Sequence, residues 1–306
     1  MKRIAISLLL ATALFAGCGN QHQEQQVNPG RLDIYQRFTS PHFEDRKVLV
    51  WLPEEYNTEC RYAVLYMHDA QMLFDEQTSW NKKSWNVDAV ASMVQKSALC
   101  RPFIVVGIEN HTQNRLVEYM PEKALDYIPN DNALLGRFNR EDFIADEYLT
   151  FIVNELKPLI DSKYSTLTDA SNTAIMGSSM GGLISLYALC EYPDVFGSAG
   201  CLSTHTPTAI DDIENEAPIW SKALRDYLNE SLPEVGKNRV YMDCGDKTID
   251  AIYPPYQAQI DPLFAAKGWQ ESHFLSLFFE GAAHDESSWN ERLDTPLTWM
   301  LGADEK

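Results

Sequence analysis

Gly177-Ser178-Ser179-Met180-Gly181 is the segment of this 306-residue chain whose residue types most readily do chemistry. A serine between glycines suits a tight, strained turn that leaves no room for neighbouring Cβ atoms. Five residues of this kind arise easily by chance, so the flanks decide. Thr173-Ala174-Ile175-Met176 reads as a buried strand entering the turn, and Met180-Gly181-Gly182-Leu183-Ile184-Ser185 opens a helix. Strand, sharp turn and helix would raise the Ser179 hydroxyl at a helix N-terminus, where aligned backbone dipoles favour developing negative charge. The chemistry open to such a serine is nucleophilic acyl transfer.

A serine nucleophile needs a base, and the base needs an acid to orient it. With a strand–turn–helix serine the chain order is Ser, acid, His. Three histidines follow Ser179. His205 precedes most acid candidates, and His273 begins a strand. His284 lies in the small-residue loop Gly281-Ala282-Ala283-His284-Asp285, between the last strand and the last helix, and is expected to be the base. The acid belongs in Asp243-Cys244-Gly245-Asp246-Lys247-Thr248-Ile249-Asp250. Asp243 falls in the strand or its last turn; Asp246 and Asp250 both lie in the loop, and the residues alone leave the two open. An oxyanion hole would take the N–H of Met180 and a second from the turn His68-Asp69-Ala70-Gln71. Ala70 is the expected donor there, with Asp69 or Gln71 as alternatives and His68 holding the turn. Arg115 and Tyr119, in the long loop after Ile108, and His205 are candidates for the pocket wall. Arg115 could instead form a loop-holding ion pair with Glu118.

These residues require a scaffold in which strand ends meet. Arg31–Phe38 and Lys47–Leu52 alternate apolar with polar, as half-buried antiparallel strands do. Tyr62–Met67, Phe103–Ile108, Thr173–Met176, Ser198–Leu202, Val240–Cys244 and Phe274–Phe279 are short aliphatic and aromatic runs that read as buried parallel strands. Helical patterns separate them near Val87–Lys96, Glu141–Ser162, Met180–Tyr192, Ile219–Leu228, Tyr256–Lys267 and Glu286–Leu301. The alternation implies an α/β fold, a mainly parallel sheet with helices on both faces. Ligands bind such sheets at the carboxyl ends of the strands. The irregular stretch from Asn110 to Arg140 is then expected to be an active-site loop.

Composition narrows the partners. Forty-four acidic against 25 basic residues give a formal net charge of −19, which repels phosphate backbones and argues against nucleic acid. No Cys-x-x-Cys or His-Glu-x-x-His spacing suggests a metal, and no glycine-rich phosphate loop suggests a nucleotide, so no cofactor is expected. Lys2 and Arg3 followed by the apolar run Ile4–Phe15 read as a signal peptide over residues 1–17. Phe15-Ala16-Gly17-Cys18 resembles a bacterial lipobox, which would make Cys18 a lipidated mature N-terminus. The protein would then be exported to the periplasm or cell envelope, with the membrane as a partner through that anchor only. Residues 18–30 are expected to be a tether and 31–306 a single domain. Cys60 and Cys100 each precede a strand; if those strands are neighbours, a disulfide between them is expected. Cys201 and Cys244 are expected as buried thiols.

Taken together, the segments Arg61–Gln71, Val105–Asn110, Arg115–Pro121, the Ser179 turn and Glu280–Glu286 resemble the esterase family of α/β-hydrolases. That family includes enterochelin esterases, esterase D, feruloyl and acetyl-xylan esterases and the mycolyltransferases. The resemblance spans nearly everything after the tether. It implies the α/β-hydrolase fold and a serine esterase acting on a small-molecule or carbohydrate ester. It also favours Asp250 over Asp246, because the 34 residues separating Asp250 from His284 resemble the spacing in relatives. Two other readings stay open: an acyltransferase of the mycolyl-transfer kind, and a binding protein that keeps the fold without the activity.

Overall fold

The computed structural model describes residues 22–303 apart from 28, 42, 129–134, 136–137 and 210–212. The expected leader, and Cys18 with it, lie outside the described residues. Among the described residues nine strands form one sheet: β1 (His22–Gln26), β2 (Arg31–Phe38), β3 (Arg46–Leu52), β4 (Ala63–His68), β5 (Phe103–Ile108), β6 (Thr173–Ser178), β7 (Ser198–Leu202), β8 (Arg239–Cys244) and β9 (Phe274–Phe278). Their order is β1-β2-β3-β5-β4-β6-β7-β8-β9. The β1–β2, β2–β3 and β3–β5 pairings are antiparallel, and every pairing from β5 to β9 is parallel. The carboxyl ends of β4, β6, β7 and β8 therefore open on one side of the molecule.

The helices are α1 (Val87–Lys96), α2 (Arg115–Tyr119), α3 (Ala145–Phe151), α4 (Lys157–Lys163), α5 (Met180–Glu191), α6 (Ile213–Ser231), α7 (Pro254–Ala266), α8 (Glu286–Asn290) and α9 (Asp294–Leu301). They cover the sheet on both sides. One apolar cluster joins α2–α7 to one face, and a second joins α1, α8 and α9 to the other. Strands β4, β5 and β6 are buried at every position, which is why they read as unbroken apolar runs.

Several expectations change at this level. Strands β2 and β3 are not half-buried: Tyr35, Val48 and Val50 enter one cluster, and Leu32, Ile34, Leu49 and Trp51 enter the other. The segment expected as a tether is structured from His22, because β1 pairs with β2 across a turn closed by Val27 N–H to Gly30 O. Gly30 has φ 98°, and a Cβ there would lie 2.4 Å from Leu52 O. The helix expected over 141–162 is α3 and α4 joined by a π turn, Ile152–Leu156. Pro158 follows that turn, lacks an N–H and crowds the carbonyl four residues back, so a widened turn relieves the clash. The helix expected over 286–301 is likewise two, α8 and α9.

The expected disulfide is absent. Cys60 and Cys100 are free thiols, one exposed and one buried. Their strands are indeed neighbours, with Ala63 opposite Phe103. The chains diverge just before that register: Tyr62 bridges to Thr166, whereas Cys100 bridges to Gly302 and its thiol reaches Leu297 O. Tyr62 and Cys100 thus belong to clusters on opposite faces of the sheet. Cys201 and Cys244 are buried thiols whose ionisation burial pushes up.

Candidate active site

Strand β6 runs directly into Ser179, which has φ 57° and ψ −122° and precedes the first residue of α5. A non-glycine residue in that region is strained and persists only when its surroundings hold it. Here Ser179 N–H donates to Leu202 O at 2.9 Å, while Ser179 O accepts from Leu183 N–H at 3.1 Å and His205 N–H at 3.2 Å. A Cβ at Gly177 would lie 2.8 Å from the Gly181 carbonyl carbon, so the turn closes only with glycine there. Met180 opens α5 and Ala70 opens the 3-10 turn Ala70–Met72. First-turn N–H groups have no acceptor within their own helix. The two turns pack together, since a Cβ at Gly181 would lie 3.3 Å from Asp69 Oδ2 and 3.4 Å from His68 Cβ.

On the other side of the opening, two loops are stitched together. Asp246 N–H and Lys247 N–H both donate to Ala282 O, and His284 N–H donates to Thr248 Oγ1. This register brings Asp250 Oδ1 to 2.6 Å from His284 Nδ1. Asp250 is fully buried, and its Oδ2 accepts from Ser203 Oγ at 2.6 Å and Gly245 N–H at 2.7 Å. Asp246 takes no part: it accepts Gly281 N–H and pairs with Lys247.

The direction of the Ser203 hydrogen bond follows from its partners. Trp289 Nε1–H and Arg292 Nη2–H both point at Ser203 Oγ, each at 2.9 Å. Neither group can accept, so they occupy both lone pairs of the hydroxyl and leave its single proton for Asp250. Arg292 in turn grips Asp243 through Nε and Nη2 at 3.1 and 3.0 Å. Asp250 thus faces donors from Ser203, Gly245 and His284. The proton of His284 is held on Nδ1, leaving Nε2 free to accept.

Ser179 and His284 line one cavity of about 580 Å³. Trp85 and Trp289 form part of its wall with ring centroids 5.2 Å apart. Trp80, 82% exposed, and Ile249, 52% exposed, stand at its mouth. The segment carrying Trp80 is tied to the residues after His284 by Asn81–Glu286, Lys83–Asp285 and Asn290–Trp85 O bonds.

Of the residues expected at the wall, Arg115 lines the cavity, but its partner is Asp69 rather than Glu118. Arg115 Nε and Nη2 clasp the two Asp69 oxygens at 2.9 and 2.8 Å, and Asn110 Nδ2 adds a third donor. Burial pushes the Asp69 carboxyl up, but Arg115 and Asn110 outweigh it and hold it below the usual range. Glu118 pairs with Arg46 instead. Tyr119 does not reach the cavity; it is fully buried against His68 and Tyr148. His68 lines the cavity and its Nδ1 meets Tyr148 Oη at 2.8 Å. Burial holds His68 at about 4.

His205 also lies off the cavity wall and meets Tyr253 instead. Burial pushes its pKa down to about 4, so the ring is neutral near pH 7. Its Nε2 faces Ala209 O at 3.2 Å, and a carbonyl only accepts, so Nε2 carries the proton. Nδ1 must then accept the Tyr253 phenol at 3.1 Å. The phenol lies near Ser179: burial pushes its ionisation up, and the Ser179 hydroxyl eases it slightly. Tyr253, Ser203, Trp289 and Arg292 do not stand out in the sequence, where a lone Tyr, Ser, Trp or Arg carries no spacing signal.

Away from this opening, His22, Glu24 and Asp33 bring ligand atoms within 4.8 Å of one another. Arg31 already sits between them, 2.9 Å from Asp33 and 3.9 Å from Glu24, so the carboxylates are matched by charge without an ion.

The fold and the opening define an α/β-hydrolase-like esterase. Residues 42–300 match the model of the family described as "Putative esterase", and the chain belongs to that family as a carboxylic ester hydrolase. An uncharacterized protein YbbA of Bacillus subtilis is 24% identical over 265 residues, covering 84% of this chain and 93% of that protein. A ferulic acid esterase of Anaeromyces mucronatus, solved with ferulic acid, superposes with a TM-score of 0.57 at 17% identity, covering 94% and 95% of the two chains. An enterobactin esterase of Shigella flexneri, solved in the presence of enterobactin, gives 0.61 at 17% identity, covering 92% of this chain and 58% of that one.

Proposed function

We propose that the protein is a serine esterase working through an acyl-enzyme, with Ser179 as nucleophile, His284 as general base and acid, and Asp250 as the orienting acid. The observation that carries this reading is the 2.6 Å contact between His284 Nδ1 and a fully buried Asp250 carboxylate, beside a strained Ser179 on the same cavity. The Ser179 hydroxyl gives up its proton to His284 Nε2 and attacks the ester carbonyl carbon. The carbonyl oxygen becomes an oxyanion held by Met180 N–H and Ala70 N–H. His284 returns the proton to the leaving alcohol as the tetrahedral intermediate collapses. Water then enters, loses a proton to the same imidazole, and releases the acid from Ser179.

The three tryptophans at the wall and mouth support an ester with a flat or ring-shaped part, in keeping with the ferulic acid held by one structural neighbour. Replacement Ser179→Ala is expected to lower kcat for 4-nitrophenyl acetate by at least about 10⁴-fold and to abolish labelling by a fluorophosphonate. Unchanged turnover or labelling would refute the proposal. We also propose export and lipidation at Cys18, supported by the basic start, apolar run and small residues before it. Cells fed labelled palmitate should mark the wild-type chain and not Cys18→Ala; equal labelling would contradict this.

A further inference from the structure

Glu286 stands two residues beyond His284, and the proton transfers above make no use of it. It lines the same cavity as Ser179 yet is recessed, at 4% exposure. Its Oε2 accepts the Asn81 amide at 2.5 Å. A neutral amide satisfies one lone pair and cancels no charge. The remaining charged pair on the described wall, Asp69 and Arg115, is closed on itself. Lys83, whose charge reaches Glu286, is bonded to Asp285 at 2.7 Å. The cavity wall therefore keeps one carboxylate that no cation neutralises by direct contact.

From this we infer that Glu286 is a specificity-determining residue: it selects esters that present a hydroxyl near the ester bond and rejects esters that present an anion there. The inference rests on the esterase reading and goes beyond it by naming the substrate class. A recessed carboxylate with acceptor capacity to spare gains from a substrate hydroxyl. A substrate carboxylate or phosphate at the same place meets like charge in a partly desolvated cavity, where repulsion over a few ångströms is large. The chain's net charge of −19 adds little to this at physiological salt, because charges further off than about 8 Å are screened. The Asn81 contact gives Glu286 a structural use as well, since it ties down the segment bearing Trp80. Glu286→Gln separates the two roles: the amide oxygen still accepts from Asn81 while the charge is gone.

The test compares kcat/KM within two matched series, one varying the acyl side and one the alcohol side. The first is 4-nitrophenyl hexanoate, 6-hydroxyhexanoate and the adipate monoester; the second is butyl acetate, 4-hydroxybutyl acetate and 4-acetoxybutanoate. In at least one series the wild-type enzyme should prefer the hydroxylated over the anionic ester by about tenfold or more, and 0.5 M NaCl should leave most of that preference. Glu286→Gln should reduce it to roughly threefold or less. A wild-type enzyme that takes the anionic ester as well as the hydroxylated one in both series overturns the inference, whether or not the variant folds. So does a ratio that Glu286→Gln leaves unmoved. Failure of the wild type to hydrolyse any of the six would instead overturn the esterase reading itself.

Discussion

At the turn bearing Ser179, position is a matter of backbone. Ser179 is held at φ 57° by main-chain bonds to Leu202, Leu183 and His205, and by the close contact that only glycine at 177 permits. Across the cavity, His284 and Asp250 come from two loops and owe their meeting to side chains. Ser203, Trp289, Arg292 and Asp243 form a buried chain of hydrogen bonds behind Asp250. The first arrangement is local and covers a few consecutive residues. The second draws on β7, β8, α8 and the segment after it, and it fails if any of them shifts. A site built this way pairs a serine set by its backbone with an imidazole set by packing.

That contrast can be broken in order of expected effect. Asp250→Asn should cost about 10³–10⁴ in kcat, because an amide can stabilise the wrong imidazole tautomer, while Asp246→Asn should stay within about twofold. Comparable losses in 4-nitrophenyl acetate turnover for both variants would show that the 2.6 Å contact does not define the acid. Acid should strike next. His68 and His205 are held at about 4, below their ordinary 6.5, so the unfolded chain binds their protons first. Stability then rises with pH across that interval and is lost as pH falls from about 6.5 towards 4, by a few kcal/mol for the pair. Melting temperature against pH should show this slope, and His205→Gln should flatten it; an identical slope in the variant would exclude His205 as a source.

The smallest effect concerns the chain behind Asp250. Ser203→Ala removes one donor to Asp250 and leaves Trp289 and Arg292 facing each other without an acceptor between them. About tenfold in kcat with little change in KM is expected, with a stability loss of about 1–3 kcal/mol. If KM rises while kcat holds, Ser203 shapes the pocket rather than the acid. Ser179→Ala in a Ser203→Ala background should add nothing to the loss from Ser179→Ala alone, since orientation of the base matters only while there is a proton to take.

What the chain order by itself determined is whatever local chemistry dictates. Strand Thr173–Met176, the glycines around Ser179 and the apolar opening of α5 lie within about a dozen consecutive residues, so the turn is legible in the residues alone. Buried parallel strands read as apolar runs because both of their faces are covered, and this makes the sheet legible too. His284 is legible from its loop and its place in chain order. The choice between Asp246 and Asp250 is not readable from the residues, since both stand in one loop and only its stitching to Ala282 turns Asp250 inward. The Cys60–Cys100 pairing fails for a related reason: neighbouring strands fix a register, but the chains entering them can part to opposite faces.

Tertiary structure alone decided the rest. Tyr253 beside Ser179, Ser203 beneath Asp250 and Arg115 clasped to Asp69 join residues 74, 47 and 46 positions apart. No periodicity records such pairs, because hydrogen-bond partners are chosen by where the sheet places strand ends and not by distance along the chain. The same holds for Glu286, which in the sequence is one acidic residue among 44 and in the fold lines the cavity of Ser179, bonded to Asn81.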